Sequence, residues 1–376
     1  MRILYYCQHV LGIGHFLRSM EIASAFFEHE VFFVEGGAPL PGFSTPNHVQ
    51  RLALPPLMMD PEFRRFETDE SQVREIQEIR KKRLLEIYHT ARPHVLVIEL
   101  FPFGRKRFQF ELIPLLEANR TAPQPAAVVC SLRDILVEKA DPDAYEAKVL
   151  AWVNRFFNLV LVHSDPECVR LEETFRRVSD IRPPLVYTGY VTRSGPSLPL
   201  PRMAEKILLS TGGGRVGTQL IEAVCRAFER IPNPALRLEI FEGPFMTPED
   251  KRFLTSLTRK DPRCTRRSFS HSFLTDLFQA GLSISMAGYN TCMDILASRV
   301  KALVYPFPQN REQALRAERL AARGALKVLR SLDPQDVAEQ IRKTLSGPPP
   351  RKVALKIDGA QETVRAIENL VLKAYV

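Results

Sequence analysis

Short runs of apolar and β-branched residues alternate along this chain with longer stretches in which apolar positions recur every three or four residues. The first half reads as strand Ile3–Cys7 and helix Phe16–Phe27, strand Val31–Glu35, strand Val95–Leu100 and helix Glu111–Asn119. Strand Ala126–Cys130, strand Leu159–His163 with helix Glu167–Phe175, and a last strand Leu185–Thr188 complete it. Such alternation predicts βα units and a parallel sheet with helices on both faces. Residues 189–201 then carry Gly189, Gly195, Pro196, Pro199 and Pro201 without periodicity, which is a linker composition.

The alternation restarts after the linker. Strands are expected at Ile207–Thr211, Leu236–Phe241, Leu282–Ser285, Ala302–Tyr305 and Ala325–Leu329. Helices are expected at Gln219–Glu229, Thr247–Leu257, Asn290–Ala297, Glu312–Ala322 and Pro334–Leu345. The predicted fold class is therefore α/β, with two Rossmann-like doubly wound domains at 1–190 and 204–350 joined by a linker at 191–203. A final helix within 351–376 follows the break Pro348–Pro350 and is free to cross back to the first domain. Ligands of open α/β sheets sit at the carboxyl ends of strands, so two such domains are expected to face each other across a cleft.

Length agrees, because 376 residues exceed what a single core usually supports. The apolar fraction of 45% and the charged fraction of 25% are those of a folded soluble chain. A net charge of +9 suits an anionic substrate, a nucleic acid or an anionic membrane face. Nucleic acid is disfavoured, since aromatic ladders for base stacking are absent and only one Trp is present. Of the basic clusters, Arg80–Arg83 lies on a helix of mixed sign and reads as a solvated face. Leu57-Met58-Met59 and Phe63, with the positive charge, offer a peripheral membrane contact. The six cysteines are scattered without metal-ligand spacing, which argues for reduced thiols and against structural zinc. From Met1-Arg2 the chain runs into only five apolar residues before Gln8-His9, and no run of about 18 apolar residues occurs, so a cytoplasmic protein is expected.

Candidate chemistry gathers at strand ends. Gly12-Ile13-Gly14-His15 leads into a helix whose N-terminus offers free N–H groups to an oxyanion. The dinucleotide fingerprint fails at Leu17, which disfavours a nicotinamide cofactor. His15 can take a proton from a hydroxyl nucleophile or serve as a cap of its own loop. Ser210-Thr211-Gly212-Gly213-Gly214-Arg215-Val216-Gly217 has three consecutive glycines that packing hardly justifies; a phosphate cradle does, although it lacks the Lys-Ser/Thr of a P-loop. Ala287-Gly288 ends another strand and puts Thr291 and Asp294 on one face of the next helix. A carboxylate there can accept both hydroxyls of a ribose or simply face the helix dipole. Asn310, Glu312 and Gln313 open a further helix, in position to bond sugar hydroxyls. In the first half Glu99 ends a strand of Val, Leu, Val and Ile, where desolvating it requires a purpose or a partner. Arg105, Arg133 and Asp134 also stand at strand ends, where an acceptor would lie.

With these residues in hand, the chain resembles the MurG-like group of GT-B glycosyltransferases, over roughly Ile207–Leu329 and more locally at the glycine-histidine loop. Tyr6-Cys7-Gln8-His9 and Glu99-Leu100-Phe101-Pro102-Phe103-Gly104-Arg105 resemble a poorly assigned branch of that group. The resemblance implies that Asp294 takes the place of a ribose-binding Glu and that Ala287, Gly288 and Thr291 flank the nucleotide. Asn310, Glu312 and Gln313 then stand at the sugar, and His15 with Gly14 beside the donor phosphates. The Gly212, Gly213, Gly214 and Gly217 loop matches the family's glycine-rich loop, with Gly214 in place of a common serine.

The expectation is a glycosyltransferase of the hexosyltransferase type, using a UDP-linked nucleotide sugar as co-substrate without metal or other cofactor. Its acceptor is a small or lipid-linked molecule held near Arg105, Arg133 and Asp134, with His15 or Glu99 as base and inversion at the anomeric carbon. Hydrolysis or epimerisation of the nucleotide sugar, or binding without turnover, are the alternatives. The location is the cytoplasm or the inner face of the membrane.

Overall fold

The computed structural model describes residues 1–9, 13–38, 45–59, 65–196, 198–214, 216–268 and 273–374. Gly12, Phe63 and Arg215, singled out above, lie outside the described residues. The chain divides into two units, Met1–Val191 with Leu355–Val376, and Thr192–Ala354.

In the first unit β1 (Arg2–Cys7), α1 (Gly14–Ala25), β2 (Glu30–Glu35), β3 (Val49–Ala53), α2 (Glu70–Ala91), β4 (Val95–Glu99), α3 (Gln109–Arg120), β5 (Ala127–Arg133), α4 (Pro142–Phe156), β6 (Leu159–His163) and β7 (Leu185–Tyr187) follow in order. Their seven strands form one parallel sheet, ordered β3-β2-β1-β4-β5-β6-β7. Because strand side chains alternate between faces, β1 gives Ile3, Tyr5 and Cys7 to one core and Leu4 and Tyr6 to the other, while β4 divides Val95 and Val97 from Leu96 and Ile98.

The second unit runs β8 (Met203–Ser210), α5 (Thr218–Glu229), β9 (Arg237–Phe241), α6 (Pro248–Thr258), β10 (Cys264–Arg267), α7 (Phe273–Gln279), β11 (Ala280–Met286), α8 (Tyr289–Ser298), β12 (Ala302–Tyr305), α9 (Arg311–Ala322), β13 (Lys327–Val328) and α10 (Pro334–Ser346). Its six strands are also parallel, ordered β10-β9-β8-β11-β12-β13. The last helix, α11 (Gly359–Ala374), belongs to the first unit. It lies on α1, and its Ala360 and Ile367 enter the same core as Ile22 and Ala23. The doubly wound pair of sheets and the returning helix are as the sequence led one to expect.

Three expectations need correction. The segment 167–175 is not an α-helix but a set of turns around a 3-10 turn at Leu171–Glu173. Asp165 accepts from Glu167 N at 2.9 Å and Ser164 Oγ donates to the Val169 carbonyl at 2.6 Å, local bonds that compete with a helical ladder. Arg80 is not on a solvated face; it is fully buried. Its Nε and Nη2 meet Glu111 at 2.9 and 2.6 Å, and Nη1 donates to the carbonyls of Gly36 and Pro55. Tyr6 donates to the same carboxylate at 2.5 Å, so the network ties α2 and α3 to β1 and to the segments after β2 and β3. Leu57 and Met59 are core residues of the first unit and do not offer a membrane anchor. Among the described residues no helix is long and apolar enough to cross a membrane.

Each sheet reverses its strand order once near the middle, between β1 and β4 in the first and between β8 and β11 in the second. At such a switch point the following helices leave to opposite faces and open a crevice at the carboxyl ends of the strands.

Candidate active site

At the first switch point, parity decides which residues meet. Val95, Val97 and Glu99 share the face of β4 that carries α1. Glu99, fully buried, accordingly faces His15 and Arg18 of α1: its Oε1 lies 2.6 Å from His15 Nδ1 and 2.5 Å from Arg18 Nη2. Burial alone would raise the Glu99 carboxyl, but His15, Arg18 and Arg105 together hold it well below its ordinary value. An ionised carboxylate only accepts, so the geometry puts the ring proton of His15 on Nδ1 and leaves the lone pair on Nε2. Burial lowers the imidazole, and Arg105 and Arg18 add to that against the pull of Glu99, so the ring is neutral near pH 7. The His15 side chain is 21% exposed. A neutral, oriented and accessible imidazole is the arrangement a general base needs.

Beneath it runs a row of polar side chains that the sequence reading missed. Tyr5 OH is 3.1 Å from Ser131 Oγ, Ser131 Oγ is 2.7 Å from His163 Nε2, and His163 Nδ1 is 2.9 Å from Thr188 Oγ1. All four are buried. The signal that could have found them was a serine and a histidine at covered positions of otherwise apolar strands. Arg105 is also covered, with its side chain 7% exposed and Nε 3.8 Å from Glu99 Oε2, whereas Lys106 and Arg107 are exposed. Arg133 is partly buried, and Asp134 is fully buried with Oδ1 accepting from Ile135 N at 2.9 Å. Burial and the neighbouring Arg133 both lower the Arg105 guanidinium, against the opposing pull of Glu99.

At the second switch point the glycines divide by role. A Cβ on Gly214 would come within 2.8 Å of Gly243 Cα, and one on Gly243 within 2.4 Å of Gly213 C; close packing of two backbones is therefore one reason for glycine at 214 and at 243, a reason the sequence alone does not give. At Gly212 (φ +68°) a Cβ would meet nothing within 4 Å, so its backbone faces open space. Gly217 (φ +103°) caps α5 through backbone alone. Neither α5 nor α8 has a side-chain cap or an acid in its first turn, while α4, α6, α9 and α10 are capped by Asp141, Thr247, Asn310 and Asp333. Uncapped N-termini present N–H donors and partial positive charge. Thr211 Oγ1 and Ser285 Oγ, at the ends of β8 and β11, are buried without a hydrogen-bond partner.

Asp294 follows Thr291 by one turn of α8, is 2% exposed, and is engaged by Arg193, with Nε on Oδ1 at 3.0 Å and Nη2 on Oδ2 at 2.5 Å. Burial raises this carboxyl and Arg193 opposes the rise. The predicted ribose acceptor is thus held by a residue of the preceding linker. Asn310 caps α9 by accepting from Gln313 N at 3.2 Å, and Gln313 Oε1 accepts from Phe307 N at 3.1 Å; both shape the loop after β12. Asn310 Nδ2 also reaches Glu312 Oε1 at 3.3 Å. Buried Arg316, which the sequence reading missed, donates to the Ala287 carbonyl at 3.2 Å and lies over the Tyr289 ring, fixing the turn at Ala287-Gly288. A cavity of about 360 Å³ opens between Gly217 and Thr218 on one side and Met286, Tyr305 and Phe307 on the other. Among the described residues no group of three or more His, Cys, Asp or Glu could hold a metal ion.

Residues 208–370 match the family model of the glycosyltransferase family 28 C-terminal domain. MurG of Acinetobacter baumannii is similar in structure, with a TM-score of 0.56 and 15% identity over 98% of this chain and 99% of that one. The calicheamicin glycosyltransferase CalG4 gives 0.57 and 16% over 99% and 94%. The spinosyn rhamnosyltransferase SpnG, solved with thymidine diphosphate, gives 0.57 and 17% over 99% and 96%. At these identities the likeness establishes the GT-B fold. No curated protein matches the sequence. The family 28 match over residues 208–370 and the GT-B fold both agree with the resemblance to MurG-like glycosyltransferases.

Proposed function

We propose that the chain transfers a hexosyl group from a pyrimidine nucleoside-diphosphate sugar, UDP-linked in the first instance, to a hydroxyl of an acceptor bound by the first unit. The observation that carries this reading is the second switch point. Two uncapped helix N-termini, the open backbone of Gly212 and the partnerless hydroxyls of Thr211 and Ser285 suit a diphosphate. The cavity beside Tyr305 and Phe307 suits a flat ring, and Asp294 suits the ribose once its carboxylate exchanges Arg193 for the two sugar hydroxyls. The bound thymidine diphosphate of SpnG supports a pyrimidine donor.

In the proposed reaction His15 Nε2 takes the acceptor's hydroxyl proton, the acceptor oxygen bonds to the anomeric carbon, and the bond from that carbon to the diphosphate breaks. The leaving diphosphate keeps the electron pair, and helix N–H groups carry its charge, a role assigned to them rather than to a divalent cation. Attack opposite the diphosphate inverts the anomeric centre. Glu99 acts through His15, since its shared oxygen already serves His15 and Arg18; this makes it a positioning residue and His15 the base. Calorimetric titration with UDP tests the donor half. Wild type should bind, and Asp294→Ala should weaken binding by at least about 100-fold, the loss of two charge-assisted hydrogen bonds. Equal affinity in the variant would remove Asp294 from the ribose, and no binding by wild type would remove UDP as the nucleotide.

A further inference from the structure

The segment that leaves β4 carries Arg105 into the interior. Its side chain is 7% exposed, yet Nε and Nη2 are buried without a hydrogen-bond acceptor. The carboxylate beside it, Glu99, reaches Nε only at 3.8 Å with Oε2, beyond hydrogen-bond range, and its other oxygen is taken by His15 and Arg18. Arg133, at the end of the neighbouring strand β5, repels rather than satisfies it, and burial with that repulsion lowers the guanidinium. A covered guanidinium that leaves two of its nitrogens without a hydrogen bond, with only a long ion pair to Glu99, is a costly arrangement for a fold to keep. Arginine's planar fork matches a phosphate or carboxylate through paired N–H donors. His15 and Arg105 address the two oxygens of one carboxylate, so base and unsatisfied cation lie within the span of a single side-chain group.

We infer that Arg105, flanked by Arg133, is an oxyanion subsite that binds a phosphate or carboxylate of the acceptor. The inference rests on the transferase reading above and narrows it: the acceptor is an anionic hydroxyl compound, a sugar phosphate or hydroxy acid by class, whose hydroxyl and anionic group lie a few bonds apart. The net charge of +9 favours the approach of such a molecule.

The test uses the full chain saturated with UDP, so that the second unit's site is filled, and follows thermal unfolding as inorganic phosphate is added at constant ionic strength. A ligand of the folded state raises the midpoint saturably. Wild type should show that rise, Arg105→Gln should lose it, and the rise produced by UDP itself should be the same in both. Phosphate acting no differently from chloride, or equally on wild type and Arg105→Gln, overturns the subsite. Should Arg105→Gln fail to fold, Arg105→Lys keeps the charge without the fork; about 10-fold weaker phosphate binding supports the inference and unchanged binding overturns it. A parallel titration with succinate separates the sources, a stronger response to it pointing to a carboxylate-bearing acceptor and a weaker one to a phosphate-bearing acceptor. A phosphate response without any UDP response would sink the UDP assignment and leave the subsite standing; the reverse would sink the subsite alone.

Discussion

At the first switch point the charged side chains have found one another, with Glu99 holding His15 and Arg18 on one oxygen; at the second, α5 and α8 begin without a side-chain cap and the buried hydroxyls of Thr211 and Ser285 have no hydrogen-bond partner. The sheets are wound alike, so topology supplies a crevice in both cases and side-chain pairing decides what it is for. A histidine held neutral and oriented is equipped to move a proton. A helix N-terminus without a side-chain cap is equipped to receive an anion. Asp294 is the exception at this switch point, since it is already paired, with Arg193 of the linker.

The largest expected effect separates chemistry from binding. His15→Ala should lower turnover by about 10²- to 10⁴-fold while UDP affinity, read by calorimetry, stays within about twofold; parallel losses in both would dissolve the contrast between the units. Acid should come next, and it should act on the first unit, which contains every histidine except His271. Burial holds His163 at about 3 and lowers His9, His15 and His94. The unfolded chain then takes up protons that the folded chain refuses, so this stability is fully present above the unfolded value of about 6.5 and is lost as pH falls toward 3. For one such histidine the loss between pH 6.5 and 5 approaches roughly 2 kcal/mol. Urea midpoints at several pH values measure it, and His163→Asn should flatten the slope; a slope indifferent to that change would place the proton uptake elsewhere. The smallest effect concerns the paired aspartate. Arg193→Ala should tighten UDP binding by about 3- to 10-fold, or about 1 kcal/mol, because the nucleotide no longer displaces a guanidinium. Weaker binding would instead make Arg193 a contact of the nucleotide.

Much of this was legible along the chain, and the reasons are local. Val95 to Ile98 announce a covered strand, and Glu99 at its end is anomalous there without any structure, because a carboxylate must have company in such a place. Glycine turns after β8 and β11 are likewise visible as strand, punctuation and helix. The partners were not visible. Arg80 meets Glu111 and Arg193 meets Asp294 across long sequence separations, and nothing in the composition of a basic helix face or a proline-rich linker marks one arginine for burial. Nor was it visible that Gly214 is crowded by Gly243, which belongs to a different strand end. Asp165 and Ser164 undid a helix at 167–175 that periodicity alone favours.

The helix α11 closes the core of the first unit from the far end of the chain, and this sets an order of assembly. A ribosome adds about 5–20 residues per second, so the face of α1 that α11 covers stays open for roughly 10–40 s after Val191 has been made, by the same rate. Every residue of the second unit is synthesised within that interval. The second unit can be complete while the unit that carries His15 still lacks a wall, and a nonsense codon near residue 355 would cripple the latter and spare the former.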